Sequence, residues 1–581
     1  MAMLQDPYYA PYPPPPASYV YPVPPVDVYD YPPPMMYPPY APPMGMPIEP
    51  VAMPPPPPEP EVDHPDLYIP EPVKSFIPYF QRQISEKNGA EILTIYESEF
   101  NKLSDRYFTE YPWPEVDRIV PFLRQDETTE IFEVLYKELY FRHIYAKHKN
   151  FRETELSLQH RFDSYHNYCK LFKLIIDADS PLDIELPNQW LWDIIDEFLY
   201  QFQSFVQFRG KLKRRTPDEI DALRDNADVW NVHGVLNILY SLVEKSKINA
   251  LLEASHHGAE PPASVGAFGK HPLYRYLGYY SLIGLLRLHC QLGDHYIALQ
   301  SVAHVQLSKK ALTTTRVPAS QITLYYYVGF CYLMLRRYKD TIRTFSNIIV
   351  FIQRAKQHFQ PKSYQHDLVV KMNEQMLSIL SMVLTLCPQH VDEVVNSQLK
   401  ERFGERMAKL QKGDLKTFED LFLFSCPKFI SPVPPDYESL PDNYDKEPTT
   451  FQCNVFIAEI EPQLILPVIR SYLKFYTTMP ISKLAAFMEV EDAEALREQL
   501  LRFKHKMRSL VSTSKGTNLL GGELQSSSDL DFYINGDMIH IADTKVARRY
   551  GDFFIRQINK LEELTGSRKA VTHLADATFV H

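Results

Sequence analysis

The stretch Gly266-Ala267-Phe268-Gly269-Lys270-His271 is the nearest this chain comes to a phosphate-binding loop, since close glycines let backbone N–H groups approach an anion and a lysine follows them. It lacks the required spacing and the hydroxyl that would hold magnesium, and its Gly, Pro and Ala surroundings read as a linker. Metal-ligand patterns are no stronger. His143 and His148 are five apart on a helical pattern and do not share a face, while His256 and His257 are adjacent beside Gly258. The six cysteines, Cys169, Cys290, Cys331, Cys387, Cys426 and Cys453, are never closer than 27 residues, so no thiolate pair is available locally. No Gly-x-Ser-x-Gly elbow and no His-Glu-x-x-His occurs. Nothing activates a nucleophile or a water. The expectation is a protein that is not an enzyme, with no catalytic residue, metal, cofactor or small-molecule substrate.

Two basic groups could meet nucleic acid. Lys211-Leu212-Lys213-Arg214-Arg215 follows a helical pattern, where positive charge favourably meets the macrodipole, and the same run fits a nuclear-import or rRNA patch. Arg497, Arg502, Lys504, Lys506 and Arg508 occupy the arc opposite an apolar stripe, where DNA- and RNA-binding winged helices place phosphate contacts. A solvated polar face explains that pattern equally. Only Gln499 on that arc could read a base.

The elements that carry these residues follow from composition and period. Of 581 residues, 49 are proline, and 26 of those fall between Met1 and Pro70, a stretch without lysine or arginine. Nine of the 72 acids lie up to Glu71, which leaves 63 against 61 basic residues and a formal charge of −2 on the body. Such a balance gives no global field for holding a polyanion. Residues 1–72 read as a disordered Pro/Tyr-rich tail in extended polyproline conformation, a spacer or a ligand for an aromatic groove. Sparse cysteines, an N-terminus without a basic and then apolar leader, and apolar runs too short to span a membrane point to the cytoplasm.

From Val73 the apolar residues recur every three or four positions, as in Ile131, Val134, Leu135, Leu139 and Tyr140, so the body is mainly α. Residues 187–208 spread aromatic and aliphatic side chains over too wide an arc for one buried stripe, which suits the middle of a solenoid. Leu292-Gly293-Asp294-His295 resembles the turn of a tetratricopeptide unit, with Ala298 as the small residue of the next helix. Gly329, Tyr332, Arg337, Tyr338, Thr341 and Phe345 repeat those offsets 43 residues later, a longer period than the standard repeat. Degenerate helical repeats or an irregular bundle would both present a surface to partners.

After a proline-rich and acidic loop at 427–448 come a helix at 464–475, a second capped by Thr478 with Pro480 in its first turn, and a third opened by Asp492. The third helix places Leu496, Leu500, Phe503, Met507 and Leu510 on one stripe and ends in a Ser/Gly-rich loop at 512–528. Residues 530–541 carry the one strong β pattern, with Asn535-Gly536 as the turn of a hairpin. Pairing Ile534 with Asp537 sets Phe532 against Ile539 and Asp531 against His540, with Gly536 at positive φ in a type I′ turn. Three helices and a hairpin make a winged helix at about 464–542. Val546, Tyr550, Phe554, Ile558 and Leu561 then line a helix at 543–566 whose seam wants a partner, and 567–581 reads as a flexible tail.

A helical-repeat rod that ends in a winged helix resembles the PCI-domain family, and the blocks at 136–140, 186–198, 475–480 and 538–558 are similar to subunits of eukaryotic translation initiation factor 3. The resemblance runs from about Val73 to Leu564 and excludes both tails. It implies helical repeats at 73–321, a PCI domain at 322–542, and a non-catalytic scaffold that supports the preinitiation complex on the small ribosomal subunit. It also implies other factor 3 subunits as partners, K and E as neighbours, association through the winged-helix hairpin (Tyr533, Asn535, Gly536, Met538 and His540), and pooling of the last helix in a bundle. The alternatives are a subunit of another PCI assembly, of the proteasome-lid type, or an RNA-binding adaptor with rRNA or mRNA contact.

Overall fold

The computed structural model describes residues 69–565, except 127, 150–155, 212–214, 257–258, 261, 308–316, 356–363, 439–443, 491, 513–518, 527–529 and 544–549. The proline-rich stretch up to 68, Val546 and the stretch 566–581 lie outside the described residues. The main helices are α1 (Glu71–Ser85), α2 (Thr129–Lys147), α3 (Leu158–Ile176), α4 (Asn188–Arg209), α5 (Val232–Ser246), α6 (Pro272–Leu292), α7 (His295–Ser301), α8 (Pro318–Met334), α9 (Tyr338–Ala355), α10 (Tyr364–Leu386), α11 (Glu393–Gln411), α12 (Leu415–Ser425) and α13 (Glu447–Ile460). One apolar core runs through all of them, from Ile69 to Ile460. The boundary expected at 321/322 falls inside α8, whose residues 319–333 are all buried, so packing draws no line there.

The width of the apolar arc on α4 has a direct consequence. Trp190, Ile194, Ile195, Phe198, Leu199 and Phe202 are almost fully buried, because α4 packs against α2 and α3 on one side and α6 on the other. One acidic group caught between these helices, Glu138, is satisfied internally. The Glu138 carboxylate accepts from Trp190 Nε1 and Tyr168 Oη at 3.2 Å and pairs with Arg142.

The α6–α7 and α8–α9 turns are built alike. At the first, Gly293 (φ +89°) donates to the Cys290 carbonyl and Asp294 to that of His289, at 3.1 and 2.9 Å. At the second, Arg336 (φ +59°) donates to Leu333 and Arg337 to Tyr332, at 3.0 and 2.8 Å. Both are helix ends closed by a left-handed residue. Gly329 lets α9 approach α8, since a Cβ there would lie 2.3 Å from the Phe345 ring. Gly266–Lys270 is itself a short helix rather than the linker expected, and a Cβ on Gly269 would meet Val265 at 2.3 Å and the Ser246 carbonyl at 2.8 Å. Those glycines serve packing.

Beyond the rod lies a second core, formed by α14 (Leu466–Leu473), α15 (Ile481–Phe487), α16 (Ala493–Lys506) and a sheet in the order β1 (Thr478–Pro480), β5 (Met538–Asp543), β4 (Leu530–Asn535). Ile469, Leu473, Met479, Leu484, Leu496, Leu500, Phe503, Phe532 and Ile539 fill it. Thr478 does not cap α15: it pairs with His540 as the start of β1, and Pro480 is the N-cap. Asp492 does cap α16, accepting from Glu494 N at 2.9 Å. That helix stops at Lys506, so Arg508 and Leu510 belong instead to β2 (Arg508–Val511), which pairs with β3 (Glu523–Ser526) inside the stretch expected as loop.

Candidate partner-binding site

The hairpin register differs from the expected one. Asn535 pairs with Met538, Ile534 with Ile539, Tyr533 with His540 and Phe532 with Ile541, so the central turn residues are Gly536 and Asp537. Gly536 has φ +59°, whereas Asp537 is not among the positive-φ residues. This is the glycine-first, type II′ pattern, not the type I′ turn expected, because only the first central residue needs the left-handed region. The apolar face survives the change. Each residue's partner moves by two positions, an even shift, so Phe532 and Ile539 stay on the side facing the helices.

β5 is the central strand, so β4 is the free edge of this side of the sheet. Ile541 N donates to the Thr477 carbonyl at 2.9 Å, away from β4. The alternation of an antiparallel ladder then makes Tyr533 and His540 a mutually hydrogen-bonded pair and turns Phe532 and Ile534 outward. Neither Tyr533 nor His540, both expected in the partner-binding hairpin, has a free backbone edge. Their rings stack at 4.7 Å and 9° on the wet face, with Tyr533 exposed and His540 half-buried. The outward groups of Phe532 are already engaged, its N–H with Asp531 Oδ1 at 2.9 Å and its carbonyl with Lys504 Nζ at 2.5 Å. Asn535 and Gly536 are exposed at the turn, and Met538 is half-buried.

The cations picked out on the third helix are held within the chain. Arg497 reaches Asp537 Oδ1 at 2.8 Å and the Gly536 carbonyl at 3.1 Å, and so braces the turn. Arg502 pairs with Glu498 at 3.3 Å on its own helix, and Lys506 with Glu459 of α13 at 2.9 Å. Arg508 is exposed at the start of β2, off the arc. Lys504 and Arg508 line one cleft with Phe503, Leu524 and Phe532, while Arg497, Arg502 and Lys506 each have a carboxylate partner elsewhere. In the other basic run, Arg215 lies over the Phe208 ring at 3.4 Å and pairs with Glu219 at 3.6 Å, while 212–214 fall outside the described residues.

Two features escaped sequence reasoning. The first is a latch. Arg337 and Asp340, at the α8–α9 turn, are buried and paired at 2.7 Å; Arg337 also donates to the carbonyls of Leu519, Leu520 and Gly521 at 2.9 to 3.0 Å. Asp340 accepts from Ser512 N at 3.0 Å, and Lys339 reaches the Ser526 carbonyl at 2.9 Å. The β2–β3 ribbon is thus tied to the rod. The second is a cluster in which Cys290, His295 and Cys331 converge, although cysteine spacing alone showed no pair. Its one local signal was Cys290 and His295 on either side of the Gly293 turn. By contrast, His143 is buried and held neutral, its basicity lowered to about 4 chiefly by burial, and His148 contacts the Tyr145 carbonyl at 3.0 Å.

The last helix, 550–565, is exposed along its whole length. Tyr550, Phe554, Ile558 and Leu561 lie on one face together with Phe553 and Leu564, all between 49% and 64% exposed. Water-facing stripes of this size mark an element that packs on something outside its own core. Among the described residues no helix is long and apolar enough to cross a membrane.

A continuous helical rod, a winged helix latched to its end and an unpacked apolar helix beyond define a PCI-type scaffold protein. Residues 160–561 match the family described as RNA polymerase I-associated factor PAF67. The chain is 55% identical over 503 residues to the eukaryotic translation initiation factor 3 subunit L of Nematostella vectensis, covering 87% of this chain and 94% of that one. It is 50% identical to the subunit L proteins of Danio rerio and Homo sapiens, over 88% and 86% of this chain and 91% of each of theirs. The chain belongs to the eukaryotic translation initiation factor 3 subunit L family.

Proposed function

We propose that the chain acts as a non-catalytic scaffold subunit of eukaryotic translation initiation factor 3 in the cytoplasm, supporting assembly of the preinitiation complex on the small ribosomal subunit. Its neighbours in that reading are the K and E subunits, which meet it through the winged helix and the last helix. The observation that carries it is the apolar face of 550–565, six large side chains that no other described residue covers. A helix that buries nothing internally gains most of its stability from an intermolecular bundle. The β4 edge supports a smaller role, since Lys504 and Asp531 already occupy the Phe532 groups that an added strand would pair with. No observation favours an RNA-binding reading, because four of the five cations proposed for it have partners inside the chain.

Affinity capture of the tagged chain from cytoplasmic extract tests the reading. Recovery of the other factor 3 subunits with small ribosomal subunits, and cross-links from 550–565 to K or E, are the expected result. Recovery with proteasome lid subunits, or with RNA alone, would overturn it.

A further inference from the structure

Three elements meet where α6, the turn after it, and α8 come together. Cys290 stands two residues before the end of α6, His295 opens α7 just past the Gly293 turn, and Cys331 lies in the last turn of α8. The two cysteines are fully buried, and His295 is 8% exposed. One ligand atom from each lies within 4.8 Å of the other two, with His295 Nδ1 3.9 Å from Cys290 Sγ. The imidazole is set edge-on between the Phe330 and Phe429 rings, at 5.9 and 6.4 Å, and its Nε2 is buried without a partner. A buried imidazole that meets a thiol through Nδ1 while its Nε2 finds no partner is polar chemistry that the apolar packing of the rod does not require.

We propose that Cys290, His295 and Cys331 form a structural site for a soft transition-metal ion, Zn(II) in a reducing compartment. Ligand type selects the metal: two sulfurs and an imidazole suit zinc and exclude the oxygen-seeking magnesium and calcium. Charge selects it too. Two thiolates and a neutral imidazole cancel the two positive charges of zinc, so the loaded site is neutral in an apolar surround, whereas a lone thiolate there is not. Zinc–sulfur and zinc–nitrogen bonds of about 2.3 and 2.0 Å place ligand atoms roughly 3.5–3.8 Å apart, so closing the cluster takes shifts of about 1 Å or less. Loading releases the two thiol protons to solvent. The fourth position falls to water or to Cys426, a further buried thiol in this part of the core. Bound metal would pin the α6–α7 turn to α8, whose C-terminal end carries the latch for the winged helix.

The test uses the full chain, purified under reducing conditions without chelator, dialysed against Zn(II) and then metal-free buffer, with metal measured by mass spectrometry. The expected content is about one zinc per chain, falling to background in Cys290→Ser/Cys331→Ser and unchanged in Cys169→Ser, which lies outside the cluster. Cobalt in place of zinc should add thiolate charge-transfer absorption in the wild type and in Cys169→Ser but not in the double variant. If the double variant does not fold, the wild type still decides the matter: zinc should protect Cys290 and Cys331 from alkylation when peptides are mapped. Equal labelling with and without zinc, or metal no higher than background, would overturn the proposal.

Discussion

The Arg337 guanidinium and the Asp340 carboxylate lie 2.7 Å apart in a site where each side chain is at most 4% exposed, and each also holds backbone of the β2–β3 ribbon. The pair therefore fixes two things at once, the start of α9 and the place where the winged helix meets the rod.

Removing one partner should be far worse than removing both. Arg337→Ala leaves the buried Asp340 carboxylate with only the exposed Arg343, at 2.9 Å, and Ser512 N as partners, and we expect a loss toward the low end of roughly 3–5 kcal/mol in denaturant unfolding, with Arg337→Met/Asp340→Leu losing less. Limited proteolysis should show faster cleavage at 513–518 in the single variant. Unaltered stability and cleavage would mean that the ribbon is held elsewhere.

At the hairpin, Gly536→Val tests the turn alone, because a Cβ there meets no atom within 4 Å. The cost is conformational: a β-branched residue at φ +59° should lower stability by about 1–2 kcal/mol. Thermal unfolding of the winged-helix core is the measurement. Asp537→Gly, at the second turn position, should cost less than that, its main loss being the contact to Arg497.

Phe554→Asp/Ile558→Asp should leave the free chain as stable as before, since both residues are already in water at 59% and 53% exposure. In a bundle each would bury a carboxylate at a cost of several kcal/mol, so capture of factor 3 subunits should drop at least tenfold. Undiminished capture would point to the rod surface instead.

Stability should fall in acid because of His143. Burial lowers its basicity from an ordinary value near 6.5 to about 4, so between those values the unfolded chain binds the extra proton and the folded chain does not. Its contribution is complete above pH 6.5 and is lost as pH falls toward 4, about 3 kcal/mol at full effect. His143→Phe should flatten that part of the profile, followed by urea unfolding from pH 7 to 4.

Much of the architecture was legible in the residues because helical burial imprints a period of 3.6. The arc on α4 announced two buried sides, and the Gly293 and Arg337 blocks announced matched turns. The winged helix was legible from order and from alternation at 530–541. Its register was not, because Asn535-Gly536 and Gly536-Asp537 are both acceptable turn centres and both leave Phe532 and Ile539 on the same face. The choice was made by partners distant in sequence, Arg497 on Asp537 and Ile481 N on the Asp537 carbonyl.

The sequence by itself determined where the long helices run, that no enzyme motif is written locally, and that the last helix carries an apolar stripe. Tertiary structure alone decided how the polar groups are used. Lys504, Lys506 and Arg497 look like a free basic face along the chain, yet each is taken up by a carbonyl between 28 and 47 residues away in sequence. Cys290, His295 and Cys331 look scattered, yet close to within 4.8 Å. Apolar periodicity is a local property, because one element must turn a face inward whatever it meets. The pairing of a charge or a ligand depends on which side chain the fold delivers from elsewhere, and no local pattern encodes it.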